Sequence, residues 1–139
     1  MKIAVTDANI FIDLIWLDQI EGLFELELEV TTPHEVMEEL LQNQRDVLLP
    51  FIESGLLTVH HLSDTDYLEI EEWAVPNRLS FTDKSALFLA KTLSAMVLTG
   101  DNVFRKQALS FHLEAHGLLW ILEQWVFMGR IKPKAARLL

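Results

Sequence analysis

The stretch Lys2-Ile3-Ala4-Val5-Thr6-Asp7-Ala8-Asn9 decides how the rest of the chain is read. Its apolar middle stops at an acid, the pattern of a short strand buried inside a sheet. Behind it Ile10, Phe11, Leu14 and Ile15 recur at helical spacing, and Asp7 is placed to cap that helix. A buried strand feeding directly into an amphipathic helix opens an α/β alternation.

The alternation continues outward. Glu27–Thr31 alternates acid against Leu28 and Val30 and predicts a second strand. Thr32-Pro33-His34-Glu35 reads as a helix start with Thr as cap, Pro first and Glu third; Val36, Met37, Leu40 and Leu41 follow. A further helix is expected over Arg45–Glu53, its first half a separate turn because Pro50 lies inside it. Leu56–Leu62 predicts a third strand, and Ser63 caps a helix to about Trp73, followed by a Val75-Pro76-Asn77 loop. Ser80-Phe81-Thr82-Asp83 opens a largely buried helix, and Ala95–Thr99 is the fourth strand, closed by Gly100-Asp101. Asn102–Ser110 is helical, Leu113–Ala115 is a brief fifth strand, and Leu118–Met128 is a strongly apolar helix stopped at Gly129. Strands alternating with helices predict an α/β fold around a parallel sheet. We read residues 1–139 as a single domain with a small basic helical tail from about residue 130.

Composition narrows the function. The chain has 139 residues, a net charge of −10 and no cysteine, which excludes disulfides, zinc–thiolate sites and a thiol nucleophile. The longest stretch without Asp, Glu, Lys or Arg, Ser54–Ser63, is far short of a membrane span. The N-terminus meets an acid too soon for a signal peptide, so a cytoplasmic protein without a membrane partner is expected. Charge is uneven: residues 1–83 carry 18 acids and 3 bases, residues 84–139 carry 3 acids and 8 bases. A uniform polyanion would repel nucleic acid, whereas this split leaves a basic side. Arg105, Lys106, Arg130, Lys132, Lys134 and Arg137 are its candidates, against the plainer reading that they are solvated helix-end charges.

In parallel sheets, ligands bind beyond the carboxyl ends of the strands, where strand order reverses. If the first and fourth strands are neighbours there, Asp7 and Asp101 stand side by side. Asp83 at a helix start and Glu39 on the helix after the second strand join them. Close carboxylates repel one another, and a hard divalent cation such as Mg²⁺ or Mn²⁺ resolves that repulsion. Such an all-oxygen set suits phosphodiester hydrolysis. Each acid also has a plainer reading: Asp7 and Asp83 as caps, Asp101 as a turn residue, Glu39 as part of a wet helix face.

Four segments carry a family likeness: Val5-Thr6-Asp7-Ala8-Asn9, Val36-Met37-Glu38-Glu39-Leu40, Leu79-Ser80-Phe81-Thr82-Asp83 and Val97-Leu98-Thr99-Gly100-Asp101-Asn102, the last continued by Arg105-Lys106-Gln107-Ala108. In that order and spacing the chain resembles the PIN domain family of nucleases. The resemblance implies a three-layer α/β/α sandwich with a central parallel sheet of about five strands. It also implies a divalent-metal-dependent endoribonuclease acting on single-stranded RNA. Asp7, Glu39, Asp83 and Asp101 then form the acidic tetrad that holds Mg²⁺ or Mn²⁺, with Asp7 and Asp101 as direct ligands. Thr6, Asn9 and Thr99 would orient them by hydrogen bonds, and Arg105, Lys106, Arg130 and Lys132 would contact RNA. An activated water would attack without a covalent enzyme intermediate. Many small PIN proteins resemble the VapC toxins, which implies a toxin–antitoxin pair, an antitoxin protein as partner and a homodimer.

Two other readings stand beside it. A PIN-like scaffold could bind RNA or protein without cutting. Asp7-Ala8-Asn9 and Thr99-Gly100-Asp101 faintly resemble a haloacid dehalogenase-type Mg²⁺-dependent phosphatase. That match fails at Asn9, where an acid belongs, and after Asp101, where no further acid follows closely. His112 and His116 are four apart, but Gly117 and the short strand argue against one continuous helix. His60 and His61 point to opposite faces of a strand and cannot chelate together. Trp16, Trp120, Trp125 and Phe127 are expected mainly in the core, with an interface as the alternative.

Overall fold

A computed structural model describes residues 1–75 and 79–137. Five parallel strands, β1 (Lys2–Thr6), β2 (Leu28–Pro33), β3 (Leu57–His60), β4 (Met96–Leu98) and β5 (Ala115–His116), form one sheet in the order β3-β2-β1-β4-β5. The helices are α1 (Ala8–Trp16), α2 (Ile20–Phe24), α3 (His34–Glu39), α4 (Gln42–Glu53), α5 (Asp64–Glu71), α6 (Phe81–Leu93), α7 (Asn102–Ser110), α8 (Leu118–Phe127) and α9 (Pro133–Ala136). Sheet and helices make a three-layer α/β/α sandwich.

The central strands are apolar because helices cover both faces. Ala4 and Val5 of β1 and Met96, Val97 and Leu98 of β4 are all buried. The register pairs Ala4 with Met96, Val5 with Val97 and Thr6 with Leu98, so β1 and β4 end level. From β1 the chain winds outward through β2 to β3, then crosses back to β4 and β5 on the other side. Strand order therefore reverses between β1 and β4, where such sheets leave a crevice beyond the strand ends.

Several local expectations change in three dimensions. Thr32 does not cap a helix. It stays in β2, where its hydroxyl donates to the Thr6 carbonyl at 2.8 Å, and Pro33 takes the cap position before α3. Helix α4 begins at Gln42 and passes through Pro50 without a break. Pro50 and Asp46, whose carbonyl loses its partner there, are both exposed, so water can serve that carbonyl. The short helix α2 has no counterpart in the periodicity. It is pinned from afar, by the Trp125 indole N–H donating to the Gly22 carbonyl at 2.9 Å. Strand β5 comprises Ala115–His116, not Leu113–Ala115. The Val75-Pro76-Asn77 loop expectation lies largely outside the described residues.

Trp125 is fully buried, as expected for an aromatic at helical spacing, and Trp120 is half-buried. Trp16 and Phe127 are not core: they are 86% and 84% exposed. His112 has a left-handed backbone (φ 61°) and His116 lies in β5, so the two share no helix face. No helix of the described residues is long and apolar enough to cross a membrane.

Candidate active site

Asp7 follows the last residue of β1, and Asp101 follows β4 by three positions. The Asp7 backbone N–H donates to the Leu98 carbonyl at 3.1 Å, which continues the sheet seam into the crevice. Asp7 is nearly buried, at 4% exposure. Its Oδ1 accepts the Ile10 N–H at 3.0 Å and caps α1, while its Oδ2 accepts the hydroxyl of Thr99. The same Thr99 oxygen accepts the Asp101 N–H at 3.1 Å. One fully buried hydroxyl thus ties the two strand-end acids together.

Asp101 caps α7, its Oδ1 accepting from Val103 at 2.8 Å and Phe104 at 3.4 Å. Asp83 stands at the third position of α6 in a reciprocal box with Ser80: Asp83 N–H to Ser80 Oγ at 3.0 Å, Ser80 N–H to Asp83 Oδ2 at 3.3 Å. For Asp7 and Asp101, capping roles and the proposed cluster therefore coexist, because α1 and α7 follow strand ends and start in the crevice; the cap of α6 is Ser80, not Asp83. Glu39 ends α3 and is exposed.

The charges feel one another. Burial pushes Asp7 up to about 6; the bonds from Thr99 and Ile10 oppose that, and the charges of Asp83 and Asp101 add to it. Burial also raises Asp83, opposed by its Ser80 bonds and reinforced by Asp101 and Glu39. The four acids thus share one electrostatic neighbourhood. Among the described residues, however, no three acid or imidazole side chains are gathered tightly enough to form a metal cage. The commitments of Asp7 and of Asp101 Oδ1 to capping amides and Thr99 are consistent with that spacing. A Mg²⁺ ion that keeps several waters needs few direct carboxylates, and a hard cation would relieve the repulsion that raises Asp7 and Asp83. The donor set, all oxygen, fits such an ion.

The remaining candidates separate. The buried Thr6 hydroxyl has no hydrogen-bond partner among the described residues, while its carbonyl accepts from Thr32. Asn9 is exposed on the first turn of α1. Arg105 donates from Nη2 to the Thr99 carbonyl at 3.0 Å, beside the strand-end acids. Lys106 is exposed on α7, and Lys132 is exposed at the start of α9. Arg130 is elsewhere. It pairs with Glu25, just before β2, and lies 5.5 Å from the Trp125 ring centre. That places it at the amino end of the sheet, away from the acids.

Periodicity alone did not reveal Arg105's contact with Thr99, because it depends on α7 packing back on its own strand. The sequence signal for it is the motif continuing from Asp101 through Arg105-Lys106-Gln107-Ala108.

A family model, DUF3368, PIN domain, matches residues 3–139. The chain belongs to the PIN domain family. PIN domains are generally nucleases that use divalent metals. The phosphatase alternative gives way to this assignment. Among solved structures, this PIN domain is similar to a PilT N-terminus domain protein from Sulfolobus solfataricus P2, with 12% identity, 88% of this chain and 92% of the other covered, and a TM-score of 0.52. It is also similar to a domain of a functionally unknown protein from Methanocaldococcus jannaschii DSM 2661, with 18% identity, coverages of 85% and 91%, and a TM-score of 0.58. At these identities the likeness concerns fold. No curated protein is similar enough in sequence to match.

Proposed function

We propose that this PIN domain is a divalent-metal-dependent endoribonuclease that hydrolyses phosphodiester bonds of single-stranded RNA. The observation that carries the reading is the meeting of Asp7 and Asp101 at the reversal of strand order, joined by Thr99 and repelled by Asp83. Asp7, Asp101, Asp83 and Glu39 would hold Mg²⁺ or Mn²⁺. When bound, the ion supplies charge neutralisation of the phosphate and activation of water. Thr99 orients Asp7 by donating to Oδ2, leaving Oδ1 to the α1 cap. Thr6 serves only through its backbone, and Asn9 stands at the mouth, where it can meet substrate. Lys106 and Lys132 are the exposed cations through which RNA could be held nonspecifically.

The test is cleavage of labelled single-stranded RNA with Mn²⁺, with EDTA, and by the Asp101→Asn variant. Cutting lost in EDTA and in the variant supports the reading. A folded protein that cuts none of several RNAs shifts it to the second reading, a scaffold that binds RNA or protein without cutting.

The same proposal includes a toxin role in the cytoplasm, with an antitoxin protein as partner and a homodimer as the assembly. Exposed Trp16 and Phe127 provide apolar surface for such contacts. Sedimentation of the protein alone and with the product of a neighbouring small gene checks both.

A further inference from the structure

A cleft of about 380 Å³ opens at the carboxyl end of β5, between Arg105 of α7, His116 and the first turn of α8. Arg105 is one helical turn beyond Asp101, its N–H donating to the Asp101 carbonyl at 2.9 Å. Its Nη2 is fixed on the Thr99 carbonyl, so its guanidinium is bound to the same residue whose hydroxyl joins Asp7 to Asp101.

Two cations at the amino end of the sheet are neutralised. Lys2 pairs with Glu114 at 2.7 Å and Arg130 pairs with Glu25. Arg105 has no carboxylate at ion-pair distance among the described residues, and its buried Nε has no hydrogen-bond partner there. A half-buried guanidinium whose one protein partner is a carbonyl keeps donors free for an anion.

Gly117 makes room for it. A Cβ at that position would collide with Arg105 Nη2 and lie 3.2 Å from the Thr99 carbonyl oxygen. Gly117 also begins α8 without a side-chain cap, and no acid occupies that helix's first turn. On the far wall the His116 ring stacks on Trp120, centroids 4.5 Å apart and 10° from parallel, and Glu114 holds His116 Nε2 at 2.9 Å. Exposed Glu123 sits at the rim and opposes an anion there. Glu114 already has Lys2 and His116.

We propose that this cleft is a phosphate subsite in which Arg105 anchors the backbone phosphate next to the one at the carboxylates, on a single-stranded nucleic acid. The proposal rests on the nuclease reading for its substrate. Arg105 supplies the planar donor fork that suits a phosphate, and Gly117 leaves the space in which its Nη2 sits. The subsite would set how the strand lies across the acids, with the neighbouring phosphate fixed while the scissile one meets the metal.

The test is fluorescence-anisotropy titration of a labelled random-sequence RNA octamer pool in Ca²⁺ at several salt concentrations. Arg105→Ala should weaken binding about tenfold. It should also flatten the slope of log K against log salt by about 0.7, the signature of one lost phosphate contact on a single strand. Arg105→Lys should keep the slope, because the charge remains. Glu123→Gln, at an exposed position where folding is not at risk, should tighten binding about twofold by removing rim repulsion. An unchanged slope in Arg105→Ala overturns the proposal and makes Arg105 a clamp on Thr99 alone. If Arg105→Ala does not fold, unchanged binding by Glu123→Gln overturns it instead. No binding of the pool by the unaltered protein also overturns it. Binding with the expected slopes but without Mn²⁺-dependent cutting would keep the subsite and overturn the nuclease reading. Cutting with unaltered slopes would do the reverse.

Discussion

The Thr99 hydroxyl donates to Oδ2 of Asp7 across the seam between β1 and β4, from 92 positions away in the chain. It also accepts the Asp101 N–H, so a single buried oxygen sets the relative positions of the two strand-end carboxylates. Substituting Thr99 should therefore affect both acids. Thr99→Val leaves Asp7 Oδ2 and the Asp101 N–H without partners at the same point. The expected cost is about 1–3 kcal/mol, read by urea denaturation. Thr99→Ser keeps the hydroxyl and should recover most of it. Equal stability of the valine variant and the unaltered protein would remove Thr99 from this role.

Asp7→Asn should abolish RNA cutting and yet stabilise the metal-free protein. Asparagine keeps the α1 cap, since it caps as well as aspartate. The sign follows from a folded value of about 6 against the ordinary 3.8. A raised carboxyl penalises folding when ionised: the penalty is absent below about pH 3.8, grows between the two values and is complete above about 6. It amounts to roughly 3 kcal/mol at neutral pH. Denaturation in EDTA at pH 7.5 and at pH 3.5 measures it. The variant should lead at the higher pH and lose that lead at the lower. A lead that persists at pH 3.5 would point to a cause other than charge.

Mn²⁺ should raise the melting temperature at pH 7.5, and EDTA should cancel the gain. Binding to the folded state alone stabilises by mass action. The ion competes with protons for Asp7 and Asp83, both raised. The gain should therefore shrink on going from pH 7.5 to 5.5, and should vanish in a protein carrying both Asp7→Asn and Asp101→Asn. Scanning calorimetry at the two pH values gives the answer. A gain that is the same in the double variant would place the ion elsewhere.

Gly22→Ala tests the opposite end of the sheet. A Cβ there would meet Trp125 Cζ2 at 2.5 Å and Arg130 Nε at 2.7 Å. Overpacking of this kind costs about 1–3 kcal/mol. The loss of stability should come with unchanged cutting at a temperature where the variant is folded, because α2 and Arg130 lie away from the acids. A selective fall in cutting would tie the two ends of the sheet together.

Much of the fold was legible because its causes are local. A buried strand is a run of apolar residues, and a helix start needs an oxygen near its first amides. Asp7 and Asp101 stand out for that reason, since each caps a helix and follows a strand end, and Asp83 stands out as the third residue of a helix start, in the capping box of Ser80. Only the family likeness sets Glu39 apart from Glu38, because both stand exposed on one short helix. Thr32 misled because Thr-Pro suits a helix cap and a strand end alike, and the Thr6 carbonyl on β1 decided between them.

The sequence by itself determined the alternation of strands and helices, the caps and which acids end strands, since these depend on neighbours within a few residues. Only the tertiary structure decided that Thr99 joins Asp7 to Asp101. It also turned Arg130 to Glu25 while leaving Arg105 beside the acids, and it held α2 through Trp125. Those are contacts between groups distant in the chain or on separately packed elements. Their geometry is set by strand order and helix packing, which no local pattern encodes.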